Sequence, residues 1–300
     1  MVDFIHMHKA QYGVDAICKV LPIAASTYYR QLDLSEHPKK RSKRDLQDQH
    51  DAEQIKRIWQ ESAGRYGVRK IWHRLKQEGY DIARCTVTRL MQQLEIQGIW
   101  RGKNKRTTRS CDDQKRAGDL VKRDFTAQHP NHLWVADFTY IQTASGWVYT
   151  AFIIDVFSRA IVGWKVSTRM NTDMVLDALE QALHSRGMPE NVIHHSDRGV
   201  QYLSVRYTNR LEMANLKASV GTTGDSYDNA LAETVNGLYK TEVIEYLKSN
   251  WAGLTDVELA TLHWVDWFNK KRLHSAIGYV SPFQFEAMYY AKIDMLNLAA

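Results

Sequence analysis

The apolar pattern of this 300-residue chain changes period near His132, and that change constrains what each half can fold into. Upstream, from Asp51 to Gly98, apolar residues recur at helical spacing. Ile55, Ile58 and Trp59 form one stripe, Val68, Ile71, Trp72 and Leu75 a second, and Val87, Leu90, Met91 and Leu94 a third. Downstream, "HLWVADFTYIQ", "WVYTAFIIDVFS" and "AIVGWKVS" read as strands, the first two joined by the turn "TASG" at 143–146. A helix over "TDMVLDALEQALHSRG" follows, with Thr172 placed to cap it and Gly187 to end it. Then come the strand "NVIHHSD", a helix across 203–215, the strand "KASVG" and a helix through "NALAETVNG". Three hairpin-connected strands followed by alternating helices and strands indicate a mixed, five-stranded α/β sheet.

That order is ribonuclease H-like. The chain divides into a short helix-turn-helix-like segment and basic linker (1–48), a helical helix-turn-helix domain (49–100), a basic linker (101–128), the α/β core (129–248) and a helical, aromatic tail (249–300). In the first segment, 13–31 reads as two short helices around a turn at Pro22, and 33–45 as linker. In the second, "QEGYDIA" is the short connection expected between the helices of a helix-turn-helix, whose later helix enters the major groove. On that later helix Arg84, Thr86, Arg89, Gln92 and Gln93 avoid the apolar stripe and are candidate DNA contacts; the alternative is a plain three-helix bundle. In the tail, Thr255 and Glu258 have the spacing of a capping box.

Charge is distributed unevenly. Residues 1–125 hold 26 Lys and Arg against 16 Asp and Glu, whereas 126–300 hold 14 against 18. A basic half is the footprint of a nucleic-acid binder, with a solvated helical surface as the alternative. Residues 101–123 alone carry nine Lys and Arg against three Asp, so Lys103, Lys105, Arg106 and Arg109 are expected to follow a phosphate backbone. Three scattered cysteines point to neither a disulfide framework nor a zinc motif. No stretch approaches the ~20 apolar residues of a membrane span, and the start lacks the features of a signal peptide. The expectation from these features is a soluble intracellular protein.

Three carboxylates stand where chemistry is expected. Asp137 in "WVADFTY" and Asp197 in "HHSDRG" each close an apolar strand, and Glu233 in "DNALAETVNG" lies on a helix. Leu231, Val235 and Leu238 would bury against the sheet, which leaves Glu233 on the opposite face with Asn229, Asn236 and Lys240. Such a set can ligate hard divalent cations, and two ions roughly 3.5–4 Å apart clamp both oxygens of a phosphoryl transfer. Asp155 also ends an apolar strand and is read as structural, paired with Arg159. His194 and His195 have opposite strand parity and are read as structural, with contact to a phosphate or metal-bound water as the alternative.

The segments "WVADFTY", "IIDVFSRAIVGW", "HHSDRGVQY", "SYDNALAETVNGLYKTE" and "FNKKRLHSAIGYVSPFQFE" resemble, in order, the second-reading-frame transposase of the bacterial insertion-sequence family numbered three. This family belongs to the DDE superfamily with the retroviral integrases. "YGVRKIWHRL" is similar to the family's upstream helix-turn-helix, so the resemblance covers roughly residues 50–290. It implies metal-dependent cleavage and transfer of DNA strands, with Asp137, Asp197 and Glu233 as catalytic metal ligands. It further implies magnesium, or manganese, as cofactor, and the element ends and target DNA as substrates. Lys240 is expected at the DNA end, and Asn229 is expected to brace Glu233 or touch phosphate. Homo-oligomers on DNA and a fusion with a first-frame product are also implied. The zinc module that precedes retroviral integrase cores has no counterpart in the sequence, and no heptad run occurs. The competing readings are a non-catalytic DNA-binding regulator, a remnant of an element, and a plain nuclease of the same fold.

Overall fold

The structure is a computed structural model that describes residues 1–37, 40–100, 120–121, 125–197, 199–221, 229–247 and 250–298. At the N-terminus, α1 (Val2–Tyr12), α2 (Val14–Val20) and α3 (Ala25–Glu36) pack around Ile5, Ile17 and Tyr28. The two helices expected on either side of Pro22 are present. The polar stretch 33–45, however, is not linker throughout, because α3 extends to Glu36 and α4 (Lys43–Glu61) already begins at Lys43. Ser42 and Asp45 form a capping box that starts α4 eight residues before the apolar periodicity reveals it.

Helix α4 packs with α5 (Val68–Gln77) and α6 (Arg84–Gln93) around Ile55, Ile58, Ile71, Leu75, Val87, Leu90 and Met91. These are the three predicted stripes. The turn between α5 and α6 is pinned by Trp72, whose indole N–H donates to the Ile82 carbonyl at 2.9 Å.

The core is one five-stranded sheet in the order β3-β2-β1-β4-β5. Strands β1 (Leu133–Thr143), β2 (Gly146–Asp155) and β3 (Ile161–Ser167) form an antiparallel meander, and β4 (Ile193–Ser196) and β5 (Lys217–Val220) add in parallel beside β1. This is the ribonuclease H-like arrangement. Side chains alternate across β1: Trp134 and Ala136 face α7 (Thr172–Ser185) and α8 (Val205–Met213), while Leu133 and Val135 face α9 (Ala230–Tyr239) and α10 (Leu254–Lys270). Gly163 lets α7 lie directly on β3, since a Cβ there would collide with the Ala178 carbonyl.

Several local expectations are corrected. The side chain that caps α7 is Asn171, which accepts from the Met174 amide; Thr172 is the first helical residue, and Gly187 follows the last turn with φ 70°. Thr255 and Glu258 do not cap α10. Its N-cap is Gly253, and Asp256 instead accepts from the Ala252 amide at 2.9 Å. Helix α10 is part of the core rather than a tail, because Trp264 and Phe268 are buried against Phe152 and Tyr239. A π-helical turn, Lys240–Glu245, continues α9, and α11 (Pro282–Leu298) closes the chain. On α9 the fully buried residues are Ala232, Val235, Asn236 and Tyr239, with Leu231 and Leu238 only half-buried. Asp155 is structural as expected, but it accepts from the Asn131 amide and from the Ser158 amide and hydroxyl rather than from the Arg159 guanidinium.

Candidate active site

Register brings the first two acids together. Ala136 on β1 stands opposite Ser196 on parallel β4, and the next residue on each chain is an aspartate. Asp137, inside β1, and Asp197, the first residue past β4, therefore lie side by side on neighbouring strands ~4.8 Å apart. Asp137 shares strand parity with Val135 and so faces the side on which α9 lies.

Helix α9 supplies the third. Asn229, Glu233 and Asn236 are spaced i, i+4, i+7 and line one stripe. Asn229 Nδ2 donates to the Ala136 carbonyl at 3.0 Å, and Asn236 Nδ2 donates to Asp137 Oδ2 at 2.9 Å. Glu233 lies between these anchors and is exposed over the same strand end. A sheet register and two asparagine clamps thus converge three carboxylates.

Their electrostatics are unfavourable by themselves. Burial, then the charge of Asp197 and that of Glu233, push Asp137 up to about 8, against the pull of the Phe138 amide and Asn236. Burial also raises Asp197, opposed by a hydrogen bond from the Gly199 amide at 2.9 Å and by His195. Glu233 is raised by burial and by Asp197. Among the described residues no Lys or Arg pairs with any of the three. Uncompensated carboxylates at one point, with only oxygen donors, suit a hard divalent cation. As they stand, no three His, Cys, Asp or Glu side chains among the described residues are arranged to hold a metal ion. Asp137 Oδ1 and Asp197 Oδ1 are each engaged by a backbone amide instead.

The other predicted residues divide. Lys240, at the end of α9, places its ammonium 4.7 Å from the centre of the Tyr140 ring, on β1 three residues beyond Asp137. Asn229 is buried and ties α9 to β1. Arg84 and Gln92 are exposed on α6, whereas Arg89 is held by Asp48 of α4 at 2.7 Å. Lys103, Lys105, Arg106 and Arg109 lie outside the described residues. His194 is buried against the Tyr207 hydroxyl at 3.0 Å and His195 against Ser219 at 2.9 Å, which fits the structural reading of both.

Sequence reasoning put Asn236 on the Glu233 face but missed its hold on Asp137. It also missed the exposed Tyr140–Trp147 pair, whose rings meet edge to face with centroids 5.4 Å apart beside the site. The cross-strand positions of Tyr140 and Trp147, close to the "TASG" turn, were the available signal.

The chain matches the integrase core domain over residues 127–226 and again over 214–282, and an HTH-like domain over 46–104. It is 51% identical over 300 residues to the transposase for insertion sequence element IS629 of Shigella sonnei, covering 100% of both chains. To the protein of insertion sequence element IS986/IS6110 of Mycobacterium tuberculosis (strain ATCC 25618 / H37Rv) it is 49% identical, covering 91% of this chain and 98% of the relative. Transposase InsF for insertion sequence IS3A of Escherichia coli (strain K12) is 32% identical over 94% of this chain and 97% of its own length. With an integrase core, a helix-turn-helix-like domain and relatives of this identity along its full length, the chain belongs to the IS3-type insertion-sequence transposases, in the DDE superfamily of polynucleotidyl transferases.

Proposed function

We propose that this transposase cuts and joins DNA strands at the pocket of Asp137, Asp197 and Glu233, with these side chains as the ligands of two divalent cations, magnesium or manganese. The observation that carries the reading is the parallel register of Ala136 with Ser196, which sets two uncompensated aspartates side by side beneath Glu233. A cation bound there supplies positive charge to the oxygens that attack and leave phosphorus. The chain's own residues hold the pocket in shape. Asn236 fixes Asp137 Oδ2, the Gly199 amide fixes Asp197 Oδ1, and Asn229 fixes α9 to the strand that carries Asp137. Lys240 and the exposed Tyr140 and Trp147 stand beside the pocket, where a cation and two aromatic faces suit a DNA end.

Binding is assigned to other parts. Arg84 and Gln92 on α6 read the element end, and the basic 101–123 stretch, with Lys103, Lys105, Arg106 and Arg109, follows phosphates. One chain carries one set of the three acids, so bringing two element ends together calls for a homo-oligomer on DNA. A fusion with the first-frame product is a further partner on this reading.

A labelled duplex carrying the element end, identified from inverted repeats flanking the gene, tests the proposal. Cleavage and joining are expected in magnesium and manganese, with calcium supporting binding but little turnover because its longer, looser coordination misaligns the reacting oxygens. Robust cleavage in a chelator, or in calcium alone, contradicts it.

A further inference from the structure

A cavity of about 720 Å³ separates the α5–α6 unit from the far end of the catalytic helix, and its charge does not balance. Arg65, Arg69, Lys70 and Arg272 line it against one carboxylate, Glu242. That carboxylate is already committed: Arg272 bonds both of its oxygens, at 2.6 Å from Nη2 to Oε1 and 3.0 Å from Nε to Oε2, and the Trp264 indole N–H adds a third bond at 3.0 Å. Among the described residues the three remaining cations form no ion pair, and Arg65 and Lys70 feel only the charge of the Glu242 that Arg272 already holds. Arg65 donates to the Glu242 carbonyl and lies over the Trp267 ring. Lys70 has only the face of Tyr66, 5.1 Å away, and Arg69 has no ion-pair partner among the described residues.

The backbone adds to this. Helix α5 starts at the cavity with Gly67 as N-cap and no capping side chain, so the first-turn amides of Val68, Arg69 and Lys70 have no intrahelical acceptor. Free amides at a helix start, with cations beside them, make a phosphate site. Gly98 keeps the wall close, because a Cβ there would collide with the Gly67 backbone. Burial first, then Arg272, bring the Lys70 amine down to about 7, against the smaller opposing pull of Glu242.

We infer that this cavity receives a phosphate of the DNA backbone through Arg69, Lys70 and the start of α5, with Arg65 behind them. The inference rests on the reading of the chain as a DNA strand-transfer enzyme and adds a contact outside α6 and the basic linker. Its position relative to the chemistry is fixed by the fold. Glu242 follows Glu233 by nine residues along α9 and its π-helical extension, roughly 13 Å at 1.5 Å per residue. A phosphate held here would set how far the DNA end reaches toward the three acids.

The test is binding of the full chain to a random-sequence duplex over about 50–200 mM salt, because a phosphate contact does not depend on sequence. Arg69→Gln with Lys70→Gln is expected to make the log–log salt slope shallower by about 0.9 for each phosphate no longer neutralised. Lys70→Arg should keep the wild-type slope. A wild-type slope in the double variant overturns the inference while leaving DNA binding in place; a wild-type protein with no salt-dependent binding overturns the strand-transfer reading and this site together. Should the double variant melt early, amine-selective labelling of wild-type Lys70 decides instead. Protection by the duplex is expected, and equal labelling with and without DNA overturns the site.

Discussion

Glu233 and Glu242 sit nine residues apart on one continuous helix, and the fold treats them in opposite ways. Glu242 is buried. Burial alone would raise it, but Arg272, with its charge and hydrogen bonds, outweighs that and holds the carboxyl below its usual range. Glu233 is exposed, has no cationic partner among the described residues, and is raised by burial and by Asp197. At one end of the helix the acid is paired, and this end joins the helix-turn-helix unit to the core, since Arg65 and Tyr66 donate to the Glu242 and Lys271 carbonyls. The other end is left short of positive charge. At the joint between the two units the acid is matched, and at the pocket proposed to take a cation the acids are not.

The sharpest way to break this contrast is to unpair the matched end. Arg272→Ala leaves Glu242 buried without its partner and should cost about 3–5 kcal/mol, read by thermal or urea unfolding. The pH dependence has a definite sign. Glu242 has a folded value below its unfolded value of about 4.3, so its contribution is complete above that pH and is lost as pH falls through the lower folded value. Arg272→Ala should therefore flatten the acid limb of the stability curve. A destabilisation under about 1 kcal/mol, the worth of an exposed pair, would show that the end is not electrostatically locked.

The opposite change at the unmatched end should stabilise. Asp137→Asn removes a charge that burial and two neighbouring carboxylates disfavour. The Asn236 Oδ1, buried without a partner, can accept from the new amide if Asn236 turns over. Without divalent metal the melting temperature should rise, at about 2–4 °C per kcal/mol gained for a domain of this size. A fall would mean that Asp137 is held for structure. A smaller effect separates two arginines on α6. Arg84 is exposed and unpaired among the described residues, whereas Arg89 is neutralised by Asp48. Arg84→Gln should weaken element-end binding by about 1–3 kcal/mol if it reads a base, and Arg89→Gln by less. The reverse order would place Arg89 on DNA.

Much of this was legible in the sequence because it lies in short-range pattern. Three helical stripes gave α4, α5 and α6, and short apolar runs bounded by polar or turn residues gave all five strands. Asp197 could be placed at a strand end because the apolar run stops there, whereas Asp137, expected to close its strand, lies inside β1, which continues to Thr143. Long-range polar pairings were not legible. Nothing local says that Asn229 bonds Ala136, that Asn236 holds Asp137, or that Arg89 is taken by Asp48. The same applies to Glu242 and Arg272, thirty residues apart, which no spacing rule connects. The start of α4 was missed for a different reason, since a capping box among polar residues carries no apolar period. A basic stretch likewise gives charge without placement, so Arg69 and Lys70 read as ordinary surface until the cavity beside them is seen.

The central claim is that the unmatched acids are the chemistry. Single-turnover cleavage of a labelled element-end duplex by Glu233→Gln in magnesium, with binding measured in parallel, tests it most directly. The substitution keeps size and hydrogen-bonding capacity at an exposed position and removes only the charge that a cation needs. Binding within about twofold of wild type and cleavage lower by about a hundredfold to a thousandfold, the scale of removing one electrostatic interaction with the transition state, are the predicted results. Cleavage near the wild-type rate would contradict the account.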